Sequence, residues 1–371
     1  MKKVIRMPGK YIQGEGVIQD VGEYAKPLGT KPALVWGSHT RAAVAEPVLE
    51  SLKNHEINEY FEIHFNGESS HEEIARLQEE AKSAGCDYVI GFGGGKALDS
   101  SRAMASRMGV RYMIVPTIAS NDSPTSACAV YYNEEHECIG NEMFAFNPDV
   151  VLIDTGIIVK APARYMAAGI GDALATWLEA NSSYKNRGAV FAGGGSTMTA
   201  QMMSKLCFDT IMGYGKECIE AVKCNVVTAA VEKVVESTTL LSGIGWESGG
   251  LTCAHAVANS LPVLHETHDF LHGEKVSFGI IVQLMLDEDM TQEEIYRIVD
   301  FEIDMGLPVT FDDLGLKDQS LERMQKFGEH AVKNETYIQT MYFPVTASSM
   351  AGAMMAANSL GKRRKALKGI K

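Results

Sequence analysis

Three ionisable residues lie in segments that otherwise consist of small or apolar residues. His255 lies in GGLTCAHAVANSL, His272 in FLHGEKVSFGIIVQL and Asp172 in AGIGDALATWLEA. An unpaired polar group buried in such surroundings costs roughly 2–7 kcal/mol. A divalent metal bound by two imidazoles and one carboxylate would repay that cost, and three protein ligands with a free fourth position are typical of a catalytic zinc site. The alternative is that each histidine is a hydrogen-bonded core residue, and His272 could also cap a helix.

A glycine-rich turn follows the apolar run at 87–92 in the segment DYVIGFGGGKALDSSRA. Gly94 and Gly95 would let backbone N–H groups approach a pyrophosphate, and a helix that starts near Ala97 would add a partial positive charge. Lys96 could add a full charge. The segment matches neither the GxGxxG nor the GxxxxGK[ST] pattern. A tight strand-to-helix turn without a ligand is therefore an equal alternative.

A polar loop, PTIASNDSPTS at 116–126, directly follows another predicted strand. Thr117, Ser120 and Ser126 offer hydroxyl groups, and Asp122 offers a carboxylate. In a doubly wound sheet this loop would lie beside the glycine turn, because ligands bind beyond the carboxyl ends of parallel strands. As a bare loop it is unremarkable, since Ser, Asn, Asp and Pro are ordinary turn residues.

The elements that must position these residues change in character along the chain. Short apolar runs alternate with helical patterns through residues 1–160, which predicts a parallel sheet with helices on both faces. After residue 160 long helical patterns dominate, and almost no alternating β-branched run remains. We therefore expect an α/β domain at 1–160 and an all-α domain at 161–371. The apolar runs are PALVW, YFEIHF, DYVIGF, RYMIVPT and VVLID.

The composition limits the classes of partner. A formal net charge of −13 over 371 residues argues against a nucleic-acid or anionic-membrane partner, because phosphate binding needs clustered cations. The basic segment at 362–371 is interpreted as a solvated terminus. No apolar run reaches membrane-spanning length, and MKKVIRMPGKYIQG lacks the apolar region of a signal peptide. Seven scattered cysteines without a CxxC pair indicate reduced thiols, so a cytoplasmic location is expected.

Five segments, in order, resemble motifs of the glycerol dehydrogenase branch of the iron-containing alcohol dehydrogenase superfamily. They are GGGKALDSSRA, PTIASNDSPTSA, APARYMAAGIGDALATW, WESGGLTCAHAVANSL and LHGEKVSFGI, and they extend through nearly the whole chain. The resemblance implies a dehydroquinate synthase-like architecture. It has a Rossmann-like dinucleotide-binding domain at 1–160, a helical metal- and substrate-binding domain at 161–371, and a site in the cleft between them.

By this resemblance, Asp172, His255 and His272 are zinc ligands. Iron-dependent members of the superfamily carry a further metal histidine four residues after the aspartate, and Thr176 stands at that position here. The resemblance therefore favours a zinc site with three protein ligands. Asp122 matches the carboxylate that contacts the polyol substrate.

The resemblance also assigns residues to the cofactor. Ser38 stands where the glycerol enzymes usually place an acidic residue for the adenosine ribose, and Arg41 is close enough in sequence to help bind a 2′-phosphate. We therefore expect NAD and leave NADP open. The other expected cofactor residues are Gly94, Gly95 and Lys96 at the pyrophosphate, and Thr117, Ser120, Ser126, Cys128 and Tyr132 at the nicotinamide half.

The activity implied by the resemblance is NAD-dependent oxidation of glycerol, or of a related vicinal diol, to dihydroxyacetone or the matching hydroxyketone. Zinc would lower the pKa of the substrate alcohol, and a vicinal diol could fill two coordination positions. His268, four residues before His272, could relay a proton or orient a ligand, or it could be a surface histidine. Members of the family commonly form homo-oligomers, often octamers.

Three other functions remain open. A reductase of the same fold could use NADPH on 2-oxo acids or aldehydes. An enzyme of the dehydroquinate synthase type shares the architecture but needs basic residues for a phosphate leaving group, and no evident Lys/Arg cluster lies near the metal motifs. A non-catalytic binding module would not require intact metal ligands together with a glycine turn.

Overall fold

The computed structural model describes residues 2–133 and 138–370, and the chain divides into two compact units. The sheet unit comprises Arg6–Ala163 and Glu220–Gly243. The helical unit comprises Met1–Ile5, Arg164–Ile219 and Ile244–Lys371. The predicted division into domains at 160/161 stays a prediction, because compactness alone does not show which segments fold independently.

Six parallel strands form the main sheet of the sheet unit, and two antiparallel strands form a separate hairpin. The strands are β1 (Lys10–Gly14), β2 (Pro32–Trp36), β3 (Phe61–His64), β4 (Tyr88–Gly93), β5 (Arg111–Pro116), β6 (Cys128–Tyr132), β7 (Cys138–Met143) and β8 (Val150–Asp154). The order across the main sheet is β1–β8–β5–β4–β2–β3. The sheet predicted from the strand–helix alternation is confirmed.

The central strands are continuous apolar runs because both faces of the sheet are covered. Every residue of β2, β4 and β8 is buried. The parallel register pairs Val35 with Gly91, and the rings of Trp36 and Phe92 pack with centroids 4.8 Å apart. The carboxyl end of β2 therefore lies beside the glycine turn that follows β4.

Two parts of the sheet unit depart from the simple alternation. The β6–β7 hairpin follows the polar loop, where the sequence pattern predicts no strand. Residues 220–243, which lie within the predicted helical region, belong to the sheet unit, where the Gln13 side chain on β1 donates to the Glu232 backbone oxygen at 2.8 Å.

The region after residue 163 is helical apart from a two-residue antiparallel pair, Ala189–Val190 with Gly194–Gly195, as far as the structure describes it. The predicted all-α character is confirmed. The α-helices of the chain are α1 (Val21–Ala25), α2 (Ser38–Asn54), α3 (His71–Ser83), α4 (Gly95–Met108), α5 (Thr155–Ile158), α6 (Ala163–Asn186), α7 (Met198–Lys223), α8 (Ala229–Glu236), α9 (Ser242–Gly249), α10 (Cys253–Ser260), α11 (His272–Leu286), α12 (Gln292–Met305), α13 (Leu321–Asn334) and α14 (Ala347–Leu367).

The helical unit has a core of its own, formed by apolar side chains of α10, α11, α12, α13 and α14 and of the segment 309–316 between α12 and α13. Phe278, Phe311 and Met354 are among its fully buried members. Among the helices that the structure describes, none has both the length and the apolar character needed to cross a membrane.

Candidate active site

The three residues predicted to bind a metal converge in the helical unit. Asp172 lies on α6, His255 on α10, and His272 is the first residue of α11. One ligand atom from each residue lies within 4.8 Å of the others, and the Asp172 Oδ1 atom is 3.4 Å from the Nε2 atom of each histidine. Asp172 and His255 are buried, whereas the His272 side chain is 40% exposed. The cluster is thus open on one side, as a catalytic metal site requires.

Glycines on α11 allow the three helices to meet. A Cβ atom added to Gly273 would overlap the backbone oxygen of Ala168 on α6, and one added to Gly279 would overlap the backbone oxygen of Ala254 on α10. Only glycine permits both backbone contacts without displacing a helix. These contacts bring the helix segments that carry Asp172, His255 and His272 together.

Glu179, which the sequence analysis missed, orients His255. Its Oε2 atom lies 2.5 Å from His255 Nδ1, and its Oε1 atom accepts from the backbone N–H groups of Thr252 and His255 at 2.9 and 3.0 Å. The Glu179 carboxylate therefore accepts a hydrogen bond from Nδ1–H of His255, and Nε2 is the nitrogen that faces Asp172 and His272 and would bind a metal. Such a carboxylate–histidine pair is typical of metal sites.

A sequence signal for Glu179 exists. It lies seven residues after Asp172, two helical turns along the same face, and it interrupts the apolar segment ATWLEA. Like the three predicted ligands, it is a charged residue in surroundings that do not otherwise tolerate charge.

The electrostatics of the cluster favour a bound cation. Burial lowers the pKa of His255, but the charges of Glu179 and Asp172 outweigh burial and raise that pKa well above its ordinary value. Burial raises the pKa of Asp172, but the facing His272 and His255 hold that pKa below its usual range. The Asp172 carboxylate is therefore ionised, which is the state that metal binding requires.

The glycine turn leaves a helix N-terminus without a side-chain cap. Gly93 closes β4 with a φ of 140°, a backbone conformation that favours glycine. Gly94 is the N-cap residue of α4 and offers no side-chain cap, and α4 begins at Gly95, two residues before the predicted start. The first-turn N–H groups of α4 carry the positive end of the helix dipole, which suits a phosphate.

Lys96 and Tyr132, both predicted to contact the cofactor, lie together. The Lys96 Nζ atom is 4.5 Å from the centroid of the Tyr132 ring and 2.7 Å from Glu68 Oε2. The Lys96 charge is therefore balanced by a carboxylate of the same unit, and a pyrophosphate would compete with Glu68 for it.

A buried ion pair between Arg102 and Asp99 contacts the polar loop and holds it in place. Arg102 is fully buried and lies 2.6 Å from Asp99 Oδ1, while its NH2 group donates to the Ser123 backbone oxygen at 2.6 Å. Asp99 also accepts from the Ser123 hydroxyl at 2.6 Å and from the Val130 backbone N–H at 3.1 Å. Arg102 also donates to the backbone oxygen of Cys128. This pair holds the loop that carries the predicted nicotinamide-contacting residues.

The remaining predicted residues of the sheet unit lie on or beside the loop. The Thr117 backbone N–H donates to the Gly93 oxygen at 2.9 Å, which joins the loop to the glycine turn. The Ser126 hydroxyl donates to the Ser123 oxygen at 3.1 Å, and Ser120 is half-buried. Buried Asp122 accepts from the Ser242 hydroxyl at 2.6 Å.

Two predicted residues lie apart from these clusters. Ser38 is exposed at the start of α2. The His268 Nε2–H group donates to the Pro262 backbone oxygen at 2.7 Å, and its ring packs edge-on against His265. His268 does not belong to the group of potential metal ligands found among the described residues. Its proposed part in proton transfer stays a prediction.

Comparisons with known proteins show which family the chain belongs to. The sequence model of the family described as iron-containing alcohol dehydrogenase matches residues 8–155. A glycerol dehydrogenase of Citrobacter freundii is 41% identical over 98% of this chain and 99% of its own. A glycolaldehyde reductase of Halobacterium salinarum is 38% identical over the same shares of the two chains.

A solved structure gives the same result for the fold. The crystal structure of glycerol dehydrogenase from Schizosaccharomyces pombe superposes with a TM-score of 0.94, at 32% identity over 100% of this chain and 94% of that chain. Enzymes of this family are dehydrogenases, which implies a nicotinamide cofactor and a metal. The chain therefore belongs to the iron-containing alcohol dehydrogenase family, in the group that contains the glycerol dehydrogenases, and it is an oxidoreductase.

Proposed function

We propose that this protein oxidises glycerol, or a closely related vicinal diol, to the hydroxyketone, which for glycerol is dihydroxyacetone. NAD is the proposed hydride acceptor, and zinc is the proposed metal. The observation that carries the proposal is the convergence of Asp172, His255 and His272, with one open side. Its support from relatives is the extended similarity to enzymes named glycerol dehydrogenase.

The donor set fits zinc. Two imidazole nitrogens and one carboxylate oxygen are ligands that zinc accepts in catalytic sites, with a further position left for substrate. Thr176 occupies the position where iron-dependent relatives would place an additional histidine, and it offers a hydroxyl in place of an imidazole. When bound, zinc would supply Lewis acidity, which eases deprotonation of an alcohol near neutral pH.

The protein's own groups prepare this chemistry. Asp172, His255 and His272 would hold the ion, and Glu179 would keep the His255 proton on Nδ1. The exposed side of His272 is the proposed direction from which a diol enters. Catalytic zinc can expand from four ligands to five, so a vicinal diol could offer both of its hydroxyl oxygens to the ion and should be preferred to a simple alcohol.

Nucleotide binding is assigned to the glycine turn and the polar loop. The uncapped start of α4, with Gly94, Gly95 and Lys96, would hold the pyrophosphate. Asp122 is proposed to accept a hydrogen bond from a substrate hydroxyl, and His268 to relay a proton. The residues proposed for the nicotinamide half are Thr117, Ser120, Ser126, Cys128 and Tyr132.

A second candidate is reduction of an aldehyde with NADH or NADPH. It is supported by the relative named glycolaldehyde reductase, which is 38% identical over 98% of this chain. In this reaction the cofactor, held by Gly94, Gly95 and Lys96, would supply the hydride for the carbonyl carbon, and a proton from solvent would complete the alcohol. The same metal cluster would serve this reaction. Both reactions transfer a hydride between the substrate carbon and the nicotinamide, and only the direction of the transfer differs.

A substrate panel tests the proposal. Purified protein with added zinc is assayed with NAD⁺ on glycerol, 1,2-propanediol and 1-propanol, and with NADH on glycolaldehyde. We expect kcat/KM for glycerol and for 1,2-propanediol to exceed that for 1-propanol at least tenfold, and a His272→Ala variant to lose activity on every substrate. Equal values for 1-propanol and 1,2-propanediol would contradict the diol assignment. A higher kcat/KM for glycolaldehyde reduction than for oxidation of glycerol or 1,2-propanediol would favour the reductase.

We also propose a homo-oligomer, with an octamer as the form that the family resemblance implies. Its support is a row of exposed apolar side chains at four-residue spacing on α7. Met198, Met202 and Leu206 are 75%, 67% and 55% exposed, and large exposed apolar patches mark interaction sites. The cysteines are scattered along the sequence and their number is odd, which supports the proposal of a cytoplasmic location.

A further inference from the structure

The end of β2 has the position that distinguishes NAD from NADP in dinucleotide-binding sheets. It lies next to the glycine turn, as the pairing of Val35 with Gly91 and the packing of Trp36 on Phe92 show. A carboxylate at this position binds the 2′-hydroxyl of the adenosine ribose, whereas a nearby arginine accommodates a 2′-phosphate. Ser38 supplies no charge here, so the charged residues around it decide the preference.

Arg41 is the cation closest in sequence to this position, and a carboxylate already holds it. The Arg41 Nε atom lies 2.5 Å from Glu62 Oε2, and its NH2 atom lies 3.2 Å from Glu62 Oε1. A bidentate pair of this kind fixes the plane of the guanidinium group and places a negative charge beside its positive charge. The guanidinium also lies 5.9 Å from the centroid of the Trp36 ring.

The partner comes from a different element than Arg41 does. Glu62 lies on β3, the edge strand beside β2, and its side chain is 29% exposed, whereas that of Arg41 is 51% exposed. The backbone N–H of Arg41 donates to the Gly37 oxygen in the first turn of α2. Glu62 therefore ties the start of α2 to the neighbouring strand, on the side where a ribose 2′-substituent is expected.

We propose that Glu62 is a specificity-determining residue that makes the protein select NAD over NADP. It neutralises Arg41 and turns the guanidinium fork away from a 2′-phosphate, and its own negative charge repels the additional phosphate of NADP. Glu62, on the neighbouring strand β3, thus performs the function that an acidic residue at position 38 would have. This inference rests on the proposed function, in that the cofactor is a nicotinamide dinucleotide.

The test measures equilibrium binding, which requires neither metal nor substrate. Dissociation constants for NADH and NADPH are obtained from nicotinamide fluorescence for the wild type and for Glu62→Gln. We expect the wild type to bind NADH at least tenfold more tightly than NADPH. In Glu62→Gln the affinity for NADPH should rise about tenfold, because Arg41 is released to bind the 2′-phosphate, while the affinity for NADH should change less than twofold.

Two controls separate this role from a structural one. The double variant Arg41→Gln with Glu62→Gln should lose the gain in NADPH affinity, because the gain depends on the freed guanidinium. Glu80→Gln removes a carboxylate of similar exposure that pairs with Arg76 on α3, and it should leave both dissociation constants unchanged. Adenosine 2′,5′-bisphosphate should displace NADPH from Glu62→Gln, which locates the effect at the adenosine ribose.

Several outcomes would overturn the proposal. These are tighter binding of NADPH than of NADH by the wild type, an unchanged NADPH affinity in Glu62→Gln, and a gain that persists without Arg41. Failure of every variant to bind either nucleotide would overturn the proposed function as well. Strong NADH binding combined with an unchanged ratio would overturn the role of Glu62 alone.

Discussion

A single carboxylate decides whether His255 can serve as a metal ligand. Glu179 accepts a hydrogen bond from His255 Nδ1–H, so Nε2 is the nitrogen that would bind a metal. An amide at position 179 could donate a hydrogen bond to Nδ1 instead, which would place the proton on Nε2, where the metal should bind. The carboxylate is therefore as important to the site as a ligand is.

Glu179→Gln is predicted to lower the affinity for zinc about 10- to 100-fold, the usual effect of losing such a partner. The affinity is measured by competition with a chelator of known zinc affinity. Glu217→Gln, a substitution on the exposed face of α7, serves as the matched control and should bind zinc like the wild type. An unchanged zinc affinity in Glu179→Gln would show that His255 does not depend on Glu179.

The two histidines should differ in their effect on stability even though both are proposed ligands. His255→Ala leaves the buried carboxylates of Glu179 and Asp172 without the imidazole between them, whereas His272 is 40% exposed. Removing one partner of a buried ion pair costs about 3–5 kcal/mol. Chelator-treated His255→Ala should therefore unfold at a lower temperature than chelator-treated His272→Ala. Equal melting temperatures would contradict this account of the buried charges.

The sequence was sufficient to predict the three residues that converge, because each is a polar residue in an apolar segment. It did not reveal Glu179 or Arg102, which are buried beside partners far away in the chain. Glu179 contacts His255, 76 residues further on, and Arg102 contacts the backbone of Ser123. Only the fold shows which buried charges have such partners.

Among the helices, α12 carries a buried carboxyl group that is hydrogen-bonded to α11 and takes no part in the proposed chemistry. Glu302 is fully buried, and its Oε1 atom accepts from the Ser277 hydroxyl at 3.0 Å. Its Oε2 atom has no hydrogen-bond partner among the described residues. Burial raises the pKa of Glu302 well above its ordinary value, so the folded protein keeps this proton at pH values where an ordinary glutamate has lost it.

This raised pKa predicts how the stability of the protein depends on pH. Above about pH 4.3, the ordinary pKa of a glutamate, the unfolded chain releases the proton while the folded chain keeps it, so the wild type loses stability as the pH rises. Glu302→Gln keeps an acceptor for Ser277 and has no proton to release. The stability of this variant relative to the wild type should therefore increase with pH by up to about 1.4 kcal/mol per unit.

Urea unfolding of both proteins at pH 5 and pH 8 measures this difference. All other groups titrate alike in the two proteins, so the change in the difference isolates Glu302. A difference that stays constant between the two pH values would mean that Glu302 ionises normally in the folded protein.

The elements themselves were predictable to different degrees. Continuous apolar runs identified β2, β4, β5 and β8, because the central strands of a covered parallel sheet need no alternation. The β6–β7 hairpin was missed, since its second strand is exposed or half-buried and carries no apolar run. The helical pattern of the segment 220–243 was predicted correctly. The local sequence of this segment does not, however, indicate that it packs with β1.

In the whole molecule, the exposed row on α7 is a feature that a single chain does not explain. Met202→Glu places a charge in the middle of the row formed by Met198, Met202 and Leu206. If this row is covered by a second copy of the chain, the substitution should shift the assembly to a smaller species in size-exclusion chromatography with light scattering. Lys223→Glu at the far end of α7, outside the row, is the control and should leave the assembly unchanged. An unaltered mass for Met202→Glu would place the interface elsewhere.

Metal-dependent oxidation of a polyol is tested by NADH formation at 340 nm with glycerol and NAD⁺. The rate is measured on the purified protein, after chelator treatment, and after zinc is added back. We predict that turnover is lost on chelation and restored by zinc, because Asp172, His255 and His272 would then hold the ion again. Turnover that persists after complete removal of metal would contradict a role for the metal, and no turnover of glycerol with NAD⁺ and zinc both present would contradict the proposed reaction.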